Sequence, residues 1–267
     1  MELAELHTLA KRMTPDQWCK LWIDFAGGED VGVKLPPFPD ESIQQLTNGL
    51  SGAATMAPAA LFYTVVQREI SGRLPDSAQY RLLDFGAGWG RITRLMLRPI
   101  HPSNLYAVDV DQRLVHAGKT ALPAITFEKI ESGAGLPFAD GSFDIVISNS
   151  VFSHLSEKFH LLYVNEIARV LNPGGLFLGT TLGVRHLDGW LANEGSRART
   201  SRVLGEENAV RQQLAAGLLA HGDTGRWSDY GLSIVPGGWV AKHWAPMFNV
   251  VATRSDYTQD VNVAIRA

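Results

Sequence analysis

Arg81-Leu82-Leu83-Asp84-Phe85-Gly86-Ala87-Gly88-Trp89-Gly90-Arg91 decides how this chain is read. An apolar run of strand type ends at an acid and passes at once into three glycines on alternate positions. Ile92, Leu95 and Met96 follow at helical spacing. Glycine supplies positive φ and lets a ligand approach bare backbone. A strand, a glycine turn and a helix N-terminus together make a nucleotide-sized ledge at the carboxyl edge of an open α/β sheet. Such a ledge suits several cofactors.

Working outward, short apolar runs alternate with helical patterns from Arg81 to Thr181, which implies parallel strands joined by crossover helices. The strands are 81–85, 105–109, 143–148 and 176–181. A helix over about 158–171 carries Leu161, Leu162, Val164, Ile167, Ala168 and Leu171 inward and stops at Asn172-Pro173-Gly174-Gly175. Residues 248–254 and 260–265 read as an antiparallel pair completing the sheet edge. The fold class is α/β: a Rossmann-like, mostly parallel sheet of about seven strands. Four segments are expected: an N-terminal helical cap over 1–72, a cofactor-binding core over 73–182, a helical insertion over the active site at 183–230, and C-terminal strands over 231–267. Within the cap, two short helices meet at Thr14-Pro15, and another helical stretch runs over 57–70.

Composition narrows the function. The chain has 267 residues, 45% hydrophobic and 19% charged, with a formal charge of -3, so nothing in it attracts nucleic acid or an anionic membrane. One cysteine, Cys19, allows no internal disulfide and no thiolate metal cluster, and a reducing cytoplasm fits. Met1–Met13 lacks the apolar segment of a secretion signal, so the mature protein is expected to begin there. The apolar stretch 53–66, broken by Pro58, is shorter than a bilayer span. No metal is expected, because no His, Asp and Glu set has ligand spacing. The expected partner is a small molecule.

Two details bear on the ledge. The dinucleotide fingerprint requires Gly or Ala where this chain has Arg91, and its third glycine comes one residue early, which weakens a nicotinamide reading. Asp84 places a carboxylate at the strand end, able to accept from a ligand ammonium or an ordered amide. About twenty residues further on, Asp109 closes the next strand, where an acid accepts ribose hydroxyls, a feature shared with NAD proteins.

The ordered motifs Asp84 to Gly90, Val108-Asp109, Leu136-Pro137-Phe138-Ala139-Asp140-Gly141-Ser142-Phe143-Asp144 and Asn172-Pro173-Gly174-Gly175 resemble those of class I S-adenosylmethionine-dependent methyltransferases over about residues 80–182. Ser150-Val151-Phe152-Ser153-His154-Leu155 is similar to a bacterial subgroup acting on small molecules. The resemblance implies S-adenosylmethionine as cofactor and S-adenosylhomocysteine as product. It implies that Gly86, Ala87, Gly88 and Gly90 contact the methionine portion, that Asp109 with Val110 meets the ribose, and that Asn149 lies beside the sulfonium. Where many relatives carry an acid for the adenine amine, this chain has Ser132 and Gly133, and the Gly133 amide and Ser132 hydroxyl are expected to take its place.

His154 is the candidate catalytic residue, since it follows the fourth strand and titrates near neutrality; the alternative is a helix-start histidine that orders its loop. His186, in the loop after the fifth strand, faces the same pocket or, as the commoner case, solvent. Tyr63 closes over the cofactor or fills the core of its apolar helix. Arg197, Arg199 and Arg202 greet an acidic substrate or form a solvated face. Trp227, Tyr230, Trp239, His243 and Trp244 line an acceptor pocket or pack the insertion. The function expected is O-methylation of a sugar or natural-product hydroxyl. The alternatives are N-methylation of a small amine, a nicotinamide-dependent oxidoreductase, and a non-catalytic cofactor-binding module.

Overall fold

The structure is a computed structural model that describes residues 2–74, 79–227 and 230–267, with only the backbone described for 223–227. The chain divides into two compact units, Met1–Ala134 with Ser142–Ile147, and Gly135–Gly141 with Ser148–Ala267. Seven strands form one sheet in the order β3-β2-β1-β4-β5-β9-β8, and β6 and β7 form a separate pair.

The first unit opens with helices α1 (Leu3–Ala10), α2 (Pro15–Ala26), α3 (Glu41–Asn48) and α4 (Gly52–Arg73). Thr14 caps α2 in a reciprocal capping box with Gln17, so the Thr-Pro start signal does what its chemistry requires. α4 begins earlier than its apolar pattern and runs through Pro58, giving up one backbone hydrogen bond there. Strands β1 (Leu82–Phe85), β2 (Leu105–Asp109), β3 (Thr126–Lys129) and β4 (Phe143–Ser148) follow, with α5 (Gln112–Ala121) between β2 and β3. β1 pairs in parallel with β2 and β4, and β2 with β3. β1 is buried at every residue, as expected of a central parallel strand. Asp144 opens β4 by accepting the Arg81 N–H at 2.9 Å, which ties the two strand starts together.

One expectation is corrected at the exit of β1. No regular α-helix follows the glycine turn. The chain passes through turns into a short 3₁₀ stretch, Leu95–Leu97, with i→i−3 bonds from Leu95 to Ile92, Met96 to Thr93 and Leu97 to Arg94. Residues 87–97 are all buried, so the segment has no solvent face. Arg91, Thr93 and Arg94 therefore spend their polar groups inside, two of them on backbone carbonyls.

The second unit contains α6 (Glu157–Val170), β5 (Leu171–Thr181), α7 (Val184–Ala192), α8 (Glu194–Leu204), α9 (Glu207–Ala215), β6 (Ala220–Trp227), β7 (Tyr230–Ile234), α10 (Gly237–Trp244), β8 (Phe248–Arg254) and β9 (Asp260–Arg266). β9 runs antiparallel to both β5 and β8. The stretch expected as a purely helical insertion thus holds three helices and then the first strand of a hairpin, for which its polar sequence carries little alternation. Leu182, Leu187, Leu191, Val210 and Leu214 give these helices a core of their own with Ala220 and Ile234. Pro173 and Gly174 lie within β5, whose pairing with β9 begins at Leu176, where the sequence pattern starts the strand.

Among the described residues, no single helix is long and apolar enough to cross a membrane. None of their His, Cys, Asp and Glu side chains gather in a group of three that could hold a metal ion.

Candidate functional site

The glycine turn belongs to the first unit. Gly86, Gly88 and Gly90 have φ of +76°, +59° and +82°, a region that side-chain-bearing residues enter only with strain. Space is equally restrictive. A Cβ on Gly88 would lie 2.7 Å from Thr47 Cγ2, and one on Gly90 would lie 2.9 Å from both Leu122 and Phe127.

The turn's own N–H groups are already engaged. Those of Gly86 and Ala87 both donate to the Val108 carbonyl, at 2.9 and 3.0 Å, and that of Gly90 to the Ala87 carbonyl at 3.1 Å. That of Gly88 donates to Asp109 Oδ2 at 2.8 Å, while Asp109 Oδ1 accepts from the Asp111 N–H at 2.9 Å. A pyrophosphate uses open N–H donors at a helix N-terminus; here four N–H groups of the turn are engaged and no regular helix follows it. Its carbonyls suit a cationic donor such as an ammonium.

Asp84 is 1% exposed and accepts the Thr93 hydroxyl at 2.6 Å. It thus acts inside the turn, on a residue that carries no motif of its own in the sequence. Burial pushes its carboxyl up to about 7, opposed by the Thr93 hydrogen bond and the nearby Arg91, and assisted by the charge of Asp109. Burial also raises Asp109, against the pull of the Asp111, Gly88 and Val110 N–H groups. With three N–H donors on its four lone-pair sites, the Asp109 carboxylate keeps acceptor capacity for one hydroxyl. Ser132 and Gly133 are the central pair of an exposed turn closed by Ala134 N–H to the Glu131 carbonyl, with φ of +78° at Gly133. Tyr63 is fully buried in α4, and its hydroxyl donates to Gln67 Oε1 at 3.2 Å, the contacts of a core residue.

Asn149 and the histidines lie in the second unit. Asn149 Nδ2 donates to the Tyr257 hydroxyl at 2.9 Å. Ser150 is the one non-glycine described residue with positive φ, +60°, and its N–H donates to Thr180 Oγ1 at 2.7 Å. Backbone in this region is strained and is frequently kept for function. Gln259 Nε2 donates to Ser150 Oγ at 3.0 Å, and the same Oγ stands 3.4 Å from His154 Nε2. On its other side, His154 Nδ1 meets the Gly231 carbonyl at 2.7 Å, and the ring stacks on Tyr230 at 4.8 Å. A carbonyl only accepts, so Nδ1 carries a proton towards Gly231, and in the neutral ring Nε2 is the acceptor that faces Ser150 Oγ. Tyr257 and Gln259 carry no signal in the sequence, because contacts across more than a hundred residues leave no local pattern.

His186 is held by the carbonyls of Gly183 and Thr258. Arg197 Nε donates to the Leu191 carbonyl. Trp239, His243 and Trp244 build α10 into an aromatic cluster around the buried His160, while the Trp227 side chain lies outside the described residues. The Leu-Pro-Phe approach to β4 is pinned from α6: Glu166 Oε2 accepts the Leu136 N–H, and Arg169 donates to the carbonyls of Leu136 and Phe138.

Residues 83–179 match a family model described as a methyltransferase domain. The match takes in the glycine turn and runs from β1 through β4. Over 166 residues the chain is 28% identical to a malonyl-[acyl-carrier protein] O-methyltransferase of Halorhodospira halophila, covering 58% of this chain and 56% of the relative. Over 164 residues it is 32% identical to a dimethylglycine N-methyltransferase of Parasynechococcus marenigrum, covering 58% and 50%. The chain thus spans only about half the length of these relatives. The structure of PH0226 protein from Pyrococcus horikoshii superposes with a TM-score of 0.53 at 16% identity, covering 77% of this chain and 91% of that one, and shares the fold. The matched range contains all four sequence motifs, with Asp84 one position in from its start.

Proposed function

We propose that the chain binds S-adenosylmethionine at the glycine turn and transfers its methyl group to a hydroxyl of a small molecule. The observation that supports the donor assignment is the engagement of the Gly86, Ala87, Gly88 and Gly90 N–H groups with Val108, Asp109 and Ala87, which closes four donors to a pyrophosphate in a turn that no regular helix follows. Gly86, Ala87, Gly88 and Gly90 would hold the methionine portion and Asp109 with Val110 the ribose. Ser132 and Gly133 would meet the adenine. When bound, this cofactor supplies an activated methyl carbon open to in-line displacement, so positioning carries most of the rate.

The acceptor side of the proposal rests on His154. An alcohol is a weak nucleophile until its proton leaves, and His154 Nε2 is the atom that would take it, with the resulting imidazolium shared with the Gly231 carbonyl. Asn149, just past the end of β4, would lie near the methyl group. Malonyl and dimethylglycine, the acceptors named for the two relatives, differ in the atom methylated, so the choice of a hydroxyl, sugar or natural product comes from the base and not from them.

The test is incubation of the purified chain with methyl-labelled S-adenosylmethionine and matched sets of small alcohols, carboxylic acids and amines, with mass analysis of the products. Label in the alcohols supports the proposal. Label confined to amines or acids overturns the hydroxyl assignment.

A further inference from the structure

Arg94 is fully buried, three residues past the conspicuous Arg91. Its Nε donates to the Gly90 carbonyl at 3.2 Å, the same carbonyl that accepts its backbone N–H at 3.1 Å. The guanidinium carbon stands 4.4 Å from the ring centre of Phe38, 4.7 Å from Trp89 and 5.1 Å from Trp22. These rings also touch one another edge to face, Phe38 on Trp89 at 5.5 Å and Trp22 on Phe38 at 6.0 Å. Among the described residues neither Nη1 nor Nη2 has a hydrogen-bond partner.

A buried cation without a counter-charge is expensive, and aromatic faces offset only part of that expense. An apolar side chain of similar volume would fill the space more cheaply, so an arginine here calls for a reason. The geometry supplies one. Trp89 and Gly90 belong to the glycine turn, whereas Trp22 lies in α2 and Phe38 in the segment between α2 and α3. Two neighbouring contacts join the same partners: Thr47 of α3 sits against Gly88, and Arg91 Nη1 donates to the Thr55 carbonyl of α4 at 2.9 Å.

We infer that Arg94 is a positioning residue for the cofactor turn, clamping the Gly90 carbonyl to an aromatic cage contributed by the N-terminal helices. The left-handed backbone at Gly90 is then held by a charge-assisted hydrogen bond as well as by the local turn. This inference rests on the turn being the donor site.

The test compares the full chain with Arg94→Met, Arg94→Lys, Phe38→Leu and, as a control, Val66→Ala in the buried face of α4. Melting without ligand is followed by circular dichroism, and S-adenosylhomocysteine binding by calorimetry at a temperature where each variant is folded. Arg94→Met is expected to weaken binding by about tenfold or more, the size of a lost charged hydrogen bond. Arg94→Lys, which restores a cation over the rings, should recover part of it. Val66→Ala should lower the melting midpoint and leave affinity unchanged. Wild-type affinity in Arg94→Met overturns the inference, and the arginine is then packing alone. Should Arg94→Met fail to fold, Phe38→Leu decides: several-fold weaker binding supports the clamp, and unchanged binding removes it. If the wild-type chain and Val66→Ala both bind no S-adenosylhomocysteine, the donor site itself has failed and the inference falls with it.

Discussion

His154 Nδ1 lies 2.7 Å from the carbonyl oxygen of Gly231, a residue of the β6–β7 hairpin. The reciprocal bond, Gly231 N–H to the His154 carbonyl, is also 2.7 Å, so the hairpin fixes both the tautomer and the place of the ring. His154→Ala is expected to lower kcat on a hydroxyl acceptor by roughly 10²–10⁴-fold, the usual worth of a general base, with little change in affinity for S-adenosylhomocysteine. Steady-state kinetics on the true acceptor check this, and near-normal turnover would show that His154 only orders its loop.

Gly88→Ala should impair cofactor binding for two separable reasons, a φ of +59° and a Cβ 2.7 Å from Thr47 Cγ2. Adding Thr47→Ala removes the second and leaves the first. The double variant is therefore expected to bind S-adenosylhomocysteine more tightly than Gly88→Ala and more weakly than wild type. Equal affinities of the single and double variants would mean that Thr47 gives way freely.

Asp84 carries a pH signature. Its folded pKa of about 7 lies above the unfolded value of 3.8, so its contribution to stability is complete below about pH 4 and is lost as pH rises towards 7. Asp84→Asn keeps an acceptor for Thr93 and does not titrate. Relative to wild type, the variant should gain stability between pH 4 and pH 8, by at most about 4 kcal/mol. Urea unfolding at several pH values measures the gap, and parallel curves would contradict it.

His160 has the opposite sign. It is fully buried, accepts from Trp244 Nε1 at 3.1 Å, and burial, with help from His243, depresses its pKa from 6.5 to about 3. Its contribution is present above pH 6.5 and lost as pH falls towards 3. His160→Phe should lose about 1–3 kcal/mol at neutral pH, because Trp244 is left without an acceptor, yet show a shallower decline in acid. An unchanged acid limb would mean that other groups govern acid unfolding.

Much of this was legible in the sequence because it is written locally. β2, β4 and β8 fall on the residues their apolar patterns mark, and the three glycines each occupy positive φ. β3 is harder to read because Phe127 is its one buried residue. The segment after the turn looks helical by spacing and is not, because Thr93 and Arg94 are committed to Asp84 and Gly90. The surroundings of His154 were out of reach altogether: Gln259, Tyr230 and Gly231 arrive from 76 or more positions away in the chain.

The donor site is tested most directly by calorimetric titration of the purified chain with S-adenosylhomocysteine, alongside NAD and the Asp109→Ala variant. One molecule bound per chain, binding lost in Asp109→Ala and no heat with NAD is the expected result. Saturable NAD binding, or S-adenosylhomocysteine binding that survives loss of the Asp109 carboxylate unchanged, would contradict the assignment of the glycine turn.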